Sequence, residues 1–153
     1  MSTIDSRLAE LGIQIPTLAA PAGAYVPYVV TGNLVFTAGQ LPFADGALPA
    51  TGKVGAEVDA DAAKAYARTA ALNALAAVQA AIGSLDRVTR VVKLVGFVSS
   101  DPSFSGQPGV INGASEVLGE IFGDLGKHAR SAVGVAVLPL DSPVEVELIV
   151  EFA

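Results

Sequence analysis

The closing stretch HARSAVGVAVLPLDSPVEVELIVEFA (residues 128–153) decides how this chain folds. Its first apolar run predicts a strand from Arg130, or the serine that follows it, to about Leu138. The prolines of LPLDSP predict a turn. The second run, VEVELIVEF, mostly alternates apolar and acidic residues, which is the period of a strand with one buried face. Together the two runs predict a hairpin that returns Glu145 beside Arg130.

Upstream of that hairpin, the sequence predicts two helices separated by a strand. DAAKAYARTAALNALAAVQAAIG predicts a long helix from a cap at Asp59 or Asp61 to about Ile82, because alanine, leucine and lysine favour helix and the final glycine favours its end. VTRVVKLVGFVSS predicts a mostly buried central strand at about residues 88–98. GVINGASEVLGEIFG predicts a second helix that ends near Gly123.

The N-terminal third is less regular. TIDSRLAEL (residues 3–11) predicts a short amphipathic helix, and IPTLAAPAGAYVPY predicts an extended segment punctuated by proline and glycine. NLVFTAGQLP predicts a strand closed by Pro42. Asp45 and Gly46 form a hairpin-turn dipeptide, so we expect a short second strand after them. The order strand pair, helix, strand, helix, strand, strand predicts an α+β fold with one mixed sheet.

The amino-acid composition limits the classes of protein to which this chain can belong. The 153 residues are 52% hydrophobic and 16% charged, which suits a single domain, residues 1–153, with a substantial core. The net charge of −6 opposes binding to nucleic acid or to an anionic membrane, and we expect neither partner. The absence of cysteine excludes disulfides and thiolate catalysis. Since the N-terminus lacks a secretory pattern, we expect a cytoplasmic protein, and the apolar excess predicts an oligomer.

Few residues carry obvious chemistry. His128 is the only histidine, so no zinc site of a common type is expected, and we interpret it as a polar loop residue. On the pattern alone, Arg130 is a strand-edge cation paired with an acid such as Glu145, which itself belongs to a solvated strand face. Tyr25 is a packed aromatic side chain and Asn112 is a helix cap in the same interpretation.

A combination of short stretches resembles the RidA/YjgF family of enamine/imine deaminases. The stretches are AYVPY (24–28), FTAGQ (36–40), IN (111–112) and HARSAVGVAVLP with VEVE (128–147). The resemblance extends from about Tyr25 to Glu151, and residues 1–20 are similar to an N-terminal extension of some branches. It implies a chorismate-mutase-like fold, in which a mixed β-sheet carries two helices on one face, and a homotrimer with clefts between subunits.

The resemblance also implies roles for five positions. Arg130 would bind the substrate carboxylate, and Glu145 would help to position the attacking water. Tyr25, Asn112 and the backbone around Gly39 would line the same cleft. The implied reaction is hydrolysis of an imine or enamine of a 2-keto acid, such as 2-iminopropanoate, with release of ammonia. A guanidinium fork suits a carboxylate, and a glutamate can accept a proton from water, so neither a metal nor an organic cofactor is required.

One departure from the family pattern keeps alternatives open. Ala38 stands where the family has the serine of TSGQ, so the cleft lacks one hydroxyl. A small-carboxylate binding or regulatory module without turnover is therefore an alternative to the deaminase. A ribonuclease, an activity ascribed to some relatives, is a third hypothesis, which the acidic net charge opposes.

Overall fold

A five-stranded mixed sheet with two long helices on one face forms the body of the protein. The computed structural model describes residues 3–21 and 23–153. The helices and strands are α1 (Thr3–Leu11), β1 (Tyr28–Thr31), β2 (Leu34–Thr37), α2 (Ala60–Ile82), β3 (Val88–Ser99), α3 (Gln107–Phe122), β4 (Ala129–Val135) and β5 (Val144–Phe152). The strand order is β1-β2-β5-β3-β4, in which β3 and β4 are parallel and the other pairs antiparallel. This architecture confirms the predicted chorismate-mutase-like fold class.

Local signals define α2 at both ends. The Asp59 side chain accepts a hydrogen bond of 2.8 Å from the backbone N–H of Ala62, and Gly83 ends the helix with φ of 86°. The buried face of α2 consists mostly of alanine, so the helix approaches the sheet closely. The predicted helix is confirmed. Despite its length, α2 is not apolar enough to cross a bilayer, and neither is any other helix among the described residues.

The core lies between the sheet and the helices. Along β5 the side chains of Val144, Val146, Leu148 and Val150 are buried among residues of α2 and α3. Each such side chain contributes about 1.5–3 kcal/mol when it leaves water. Successive residues of a strand point to opposite faces, so Glu145 lies on the face that carries no helix.

The predicted hairpin of the last two strands is wrong. β3 lies between β4 and β5, so Leu94 of β3 pairs with Arg130 on one side and with Leu148 on the other. A parallel pair needs a crossover connection, and α3 supplies it between β3 and β4. β4 therefore takes the sheet edge, while β5 fills the central position between β3 and β2. β4 also ends at Val135, before the predicted Leu138.

The predicted strand after Asp45 and Gly46 is also wrong. These residues make a turn with a single bridge between Ala44 and Ala47 and no strand. β2 pairs antiparallel with β1 as well as with β5, and β1 begins at Tyr28, the last residue of the segment predicted to be extended. The turn that joins β1 and β2 contains Gly32 with φ of 57°, a left-handed conformation that glycine adopts without strain. Two β-branched runs flanking TGN were the signal for this hairpin.

The predicted N-terminal helix is confirmed as α1, and it is anchored to the body. Leu8 is buried in the core, Arg7 Nε donates a 2.9 Å hydrogen bond to the carbonyl of Glu120 in α3, and the N–H of Ile4 donates to Asp86 at 2.8 Å. Residues 3–11 are thus part of the folded unit, and they set where the following extended segment begins.

The close approach of α2 and α3 depends on Gly113. A Cβ at this position would lie 2.9 Å from the carbonyl carbon of Lys64, whereas a Cβ at Gly119 of the same helix would meet nothing within 4 Å. We expect Gly113→Ala to lower the free energy of unfolding by about 1–3 kcal/mol. Gly119→Ala should raise it by about 0.5–1 kcal/mol, because alanine favours helix. Urea unfolding of both variants checks this, and changes of the same sign would contradict it.

Candidate functional site

A cleft of about 1090 Å³ opens beside the first residues of β5. Most of residues 14–21 form one wall, and most of residues 39–46 form the other with part of α2. Three predicted site residues, Tyr25, Gly39 and Glu145, line this cleft. The sequence did not predict that the extended N-terminal segment forms a wall of the cleft, because its side chains belong to no motif.

Gly39 makes room for the Glu145 side chain. A Cβ at Gly39 would lie 2.9 Å from Cδ of Glu145 and 3.2 Å from its Cγ. The next residue, Gln40, exchanges two backbone hydrogen bonds with Val146, of 2.7 Å and 3.0 Å. The loop is therefore held flat against β5, and only a glycine permits the carboxyl group to lie over it.

The Glu145 carboxyl has a raised pKa. Burial in the cleft is the main cause, because it disfavours the charged form, and the negative charge of Glu147 adds to it. The two carboxylates alternate with buried valines on β5 and so share one face of the sheet. A carboxyl group shifted in this direction is better suited to both accept and return a proton near neutral pH.

Asn73 of α2 fixes the opposite wall. Its Nδ2 donates to the carbonyl of Leu41 at 2.9 Å and to that of Phe43 at 3.1 Å. One amide side chain thus forms hydrogen bonds with two loop carbonyls that have no partner in a neighbouring strand. Asn73 was not predicted as a site residue, and the only signal was the single asparagine of an alanine-rich helix.

Arg130 lies elsewhere, at the sheet edge against α3. Its Nη1 donates to Asn112 Oδ1 at 2.8 Å and to Ser115 Oγ at 3.2 Å, and its Nη2 is 3.4 Å from the carbonyl of Pro108. No carboxylate of the described residues lies within 4.0 Å of it. The interpretation of Arg130 as a cation paired with Glu145 is therefore wrong, because all its partners are neutral.

Two further interpretations from pattern alone are wrong. Asn112 does not cap its helix, because α3 begins at Gln107, and its amide oxygen instead accepts from Arg130. Tyr25 is not a packed aromatic side chain, because it is 52% exposed at the mouth of the cleft. The structure brings Arg130 together with Asn112, and Tyr25 together with Gly39 and Glu145, but it leaves the two groups apart.

The separation follows from the sheet. Glu145 and Arg130 are two strand spacings apart, roughly 10 Å, and are offset by three residues, roughly another 10 Å along the strands. Arg130 faces α3, whereas Glu145 lies on the opposite face. None of the described residues that line the cleft is lysine, arginine or histidine. One chain therefore holds its candidate site residues as two separate half-sites, and the described lining of the cleft contains no cation.

The fold and the half-sites define the class: an α+β protein of the chorismate-mutase-like kind, with an edge arginine held by α3 and a glycine-backed glutamate on β5. Residues 5–152 match the family model described as "YjgF/chorismate_mutase-like, putative endoribonuclease". The chain belongs to this YjgF family, as the resemblance predicted.

Individual relatives are similar over nearly their full length. Protein TCP17 of Trypanosoma cruzi is 48% identical over 97% of this chain and 93% of its own. The crystal structure of Atu1372, a protein of unknown function from Agrobacterium tumefaciens, is 46% identical with a TM-score of 0.91, covering 98% of this chain and 92% of its own. The Escherichia coli YjgF gene product is 33% identical with a TM-score of 0.66, covering 88% and 93%.

The raised pKa of Glu145 makes stability depend on pH. Because folding disfavours the ionised carboxyl, the pKa of Glu145 is higher in the folded protein than in the unfolded one. The contribution of the protonated group to stability is fully present below the ordinary glutamate pKa. It is lost as the pH rises through the pKa of the folded protein. We expect Glu145→Gln to gain stability relative to the unaltered protein between about pH 4 and pH 7. Urea unfolding across this range measures it. Asp61→Asn, at an exposed carboxyl in the first turn of α2, controls for the lost charge, and an equal gain there would contradict the assignment.

Proposed function

We propose that the protein is a cytoplasmic hydrolytic deaminase of imine and enamine intermediates of 2-keto acids, of the 2-iminopropanoate type, that releases ammonia. The observation that carries the proposal is the guanidinium of Arg130, which is held by neutral oxygens and has no acidic partner among the described residues. Such a cation suits an external carboxylate. Membership of the YjgF family supports the assignment.

The complete site in this proposal forms between subunits of a homotrimer. The cleft with Glu145 has no cation among its described lining residues, and Arg130 lies on the other face of the sheet. The face without helices also exposes apolar side chains, including Val29, Phe36 and Val133, which association would bury. A second copy that covers this face could bring its own Arg130 to the cleft.

The chemistry needs three contributions. The Nε and Nη2 edge of Arg130 would hold the substrate carboxylate through two parallel hydrogen bonds. Glu145 would take a proton from water as the oxygen attacks the carbon of the C=N bond. Glu145 would return that proton to the nitrogen of the resulting carbinolamine. The C–N bond would then break as the hydroxyl group gives its remaining proton to Glu145 and the C=O bond forms. The departing ammonia would take up this proton and leave as ammonium. Because such imines hydrolyse readily, positioning of the reactants would supply most of the acceleration.

Complementation between variants tests the shared site. We expect Arg130→Ala and Glu145→Gln each to lower kcat/KM by at least about 100-fold. After denaturation and co-refolding of an equal mixture, about a quarter of the clefts would carry both residues, and activity should recover to that extent. Loss of an imine generated in situ by an amino-acid oxidase measures the rate.

Arg90→Ala, at an exposed arginine of β3, is the matched control and should retain activity. No acceleration by the unaltered protein with any small imino acid would refute the deaminase. Full activity of both single variants would refute the residue roles. Failure of the mixture to recover, with both variants inactive, would refute the site between subunits.

A non-catalytic carboxylate-binding module is the second candidate, and Ala38 favours it. Ala38 precedes Gly39, and its N–H donates to the carbonyl of Pro27 at 2.8 Å, so this position offers the cleft no hydroxyl. If the missing hydroxyl limits turnover, Ala38→Ser should raise kcat and leave the affinity for pyruvate unchanged. Calorimetric titration with pyruvate, beside the imine assay, separates the candidates: binding without turnover in either protein would favour the module.

A further inference from the structure

A chain of hydrogen bonds leads away from Arg130 on the side of Nη1. Nη1 donates to Ser115 Oγ at 3.2 Å, and Ser115 Oγ is 2.9 Å from Nε2 of His128. Nδ1 of His128 is 2.6 Å from the carbonyl oxygen of Gly126. The single histidine of the sequence is therefore connected to the guanidinium through one hydroxyl group.

The carbonyl of Gly126, at the end of this chain of hydrogen bonds, determines which group donates and which accepts at each step. A carbonyl oxygen can only accept, so Nδ1 of His128 carries the hydrogen and donates to Gly126. In the neutral imidazole, Nε2 is then an acceptor, and the hydroxyl of Ser115 donates to it. The lone pairs of Ser115 Oγ are left for Arg130. Every member of the chain thus has a defined role as donor or acceptor.

Both α3 and Gly126, which precedes β4, hold this chain of hydrogen bonds in place. Ser115 and Asn112 are three residues apart in α3 and so lie on one face of the helix, where both accept from Nη1. Gly126 is packed against α3, since a Cβ there would be 2.9 Å from the carbonyl carbon of Leu118. The acceptor for His128 is therefore fixed to the same helix that carries Ser115.

Neighbouring charges do not compete for the imidazole. His128 and Ser115 border an open groove of about 490 Å³ that also contains Asp124 and Lys127. Those two residues pair with each other at 3.1 Å and are highly exposed. Within the part of the chain that the structure describes, the side chain of His128 forms hydrogen bonds only with Ser115 and Gly126.

We propose that Ser115 and His128 are positioning residues that fix Arg130 for carboxylate binding. The bonds to Ser115 and Asn112 use both hydrogens of Nη1, and one hydrogen of Nη2 is directed to the carbonyl of Pro108. Nε and the other hydrogen of Nη2 are left as the edge for a ligand. An arginine side chain loses much rotamer freedom on binding, and a side chain already held in place loses less. The inference rests on the proposed function, because it explains how the proposed carboxylate site is held.

Calorimetric titration of the full-length protein with pyruvate tests the inference. Ser115→Ala and His128→Ala should each weaken binding by about tenfold, as expected for loss of a hydrogen bond that supports a charged group. His128→Gln should stay within about threefold of the unaltered protein, because its amide oxygen can accept from Ser115. Where turnover is measurable, KM should rise by the same factors and kcat should change by less than about twofold.

Lys127→Ala is the control, because Lys127 lies in the same groove but takes no part in the chain of hydrogen bonds. This variant should bind pyruvate normally. Unchanged binding in Ser115→Ala and His128→Ala would overturn the inference, as would equal weakening by His128→Ala and His128→Gln. The parallel titration of Arg130→Ala separates this inference from the proposed function. If Arg130→Ala still binds pyruvate normally, the proposed carboxylate site itself fails. If only Arg130→Ala loses binding, the positioning role alone fails.

Discussion

The register of β5 in the centre of the sheet is the constraint on which the rest of the structure depends. Its valines and Leu148 are buried against α2 and α3, while Glu145 and Glu147 occupy the other face. A slip by one residue would place the carboxylates in the core and the valines outside. The same pairing that builds the core therefore also presents Glu145 to the cleft. A change in the register of this strand cannot affect one of these features alone.

The central position of β5 also explains why the half-sites are separate. β3 separates β5 from β4, and the strand register places Arg130 on the same face as the buried Leu94 and Leu148. On that face it contacts neutral acceptors of α3, including Asn112 and Ser115. A cation that is partly withdrawn from water is costly to hold unless oxygens satisfy its hydrogens, and α3 supplies three such oxygens, from Asn112, Ser115 and Pro108. The arginine is thus stabilised without being neutralised, which is the condition that binding of an external anion requires.

Local sequence patterns correctly predicted the elements that depend on interactions between residues close in sequence. The caps of α2 and the alternation along β5 depend on residues a few positions apart, and both elements were predicted correctly from them. The partner of each strand depends on distant parts of the chain, which is why the β4–β5 hairpin was predicted wrongly. The family resemblance identified candidate residues by type and spacing. It could not reveal that one chain divides them between two faces, because that division follows from strand order.

Glu145 links the stability of the chain to its proposed role. A half-buried carboxyl beside Glu147, in a cleft with no cationic lining residue among those described, destabilises the fold when it ionises. No hydrophobic or hydrogen-bonding requirement of β5 explains a glutamate there, and Gly39 must be glycine to accommodate it. A cation from outside the chain would offset the cost of ionisation. In the proposed reaction the protonated imine nitrogen is that cation, with its carboxylate held by Arg130 of another copy, so the group that is unfavourable in the isolated chain becomes favourable only when the site is complete.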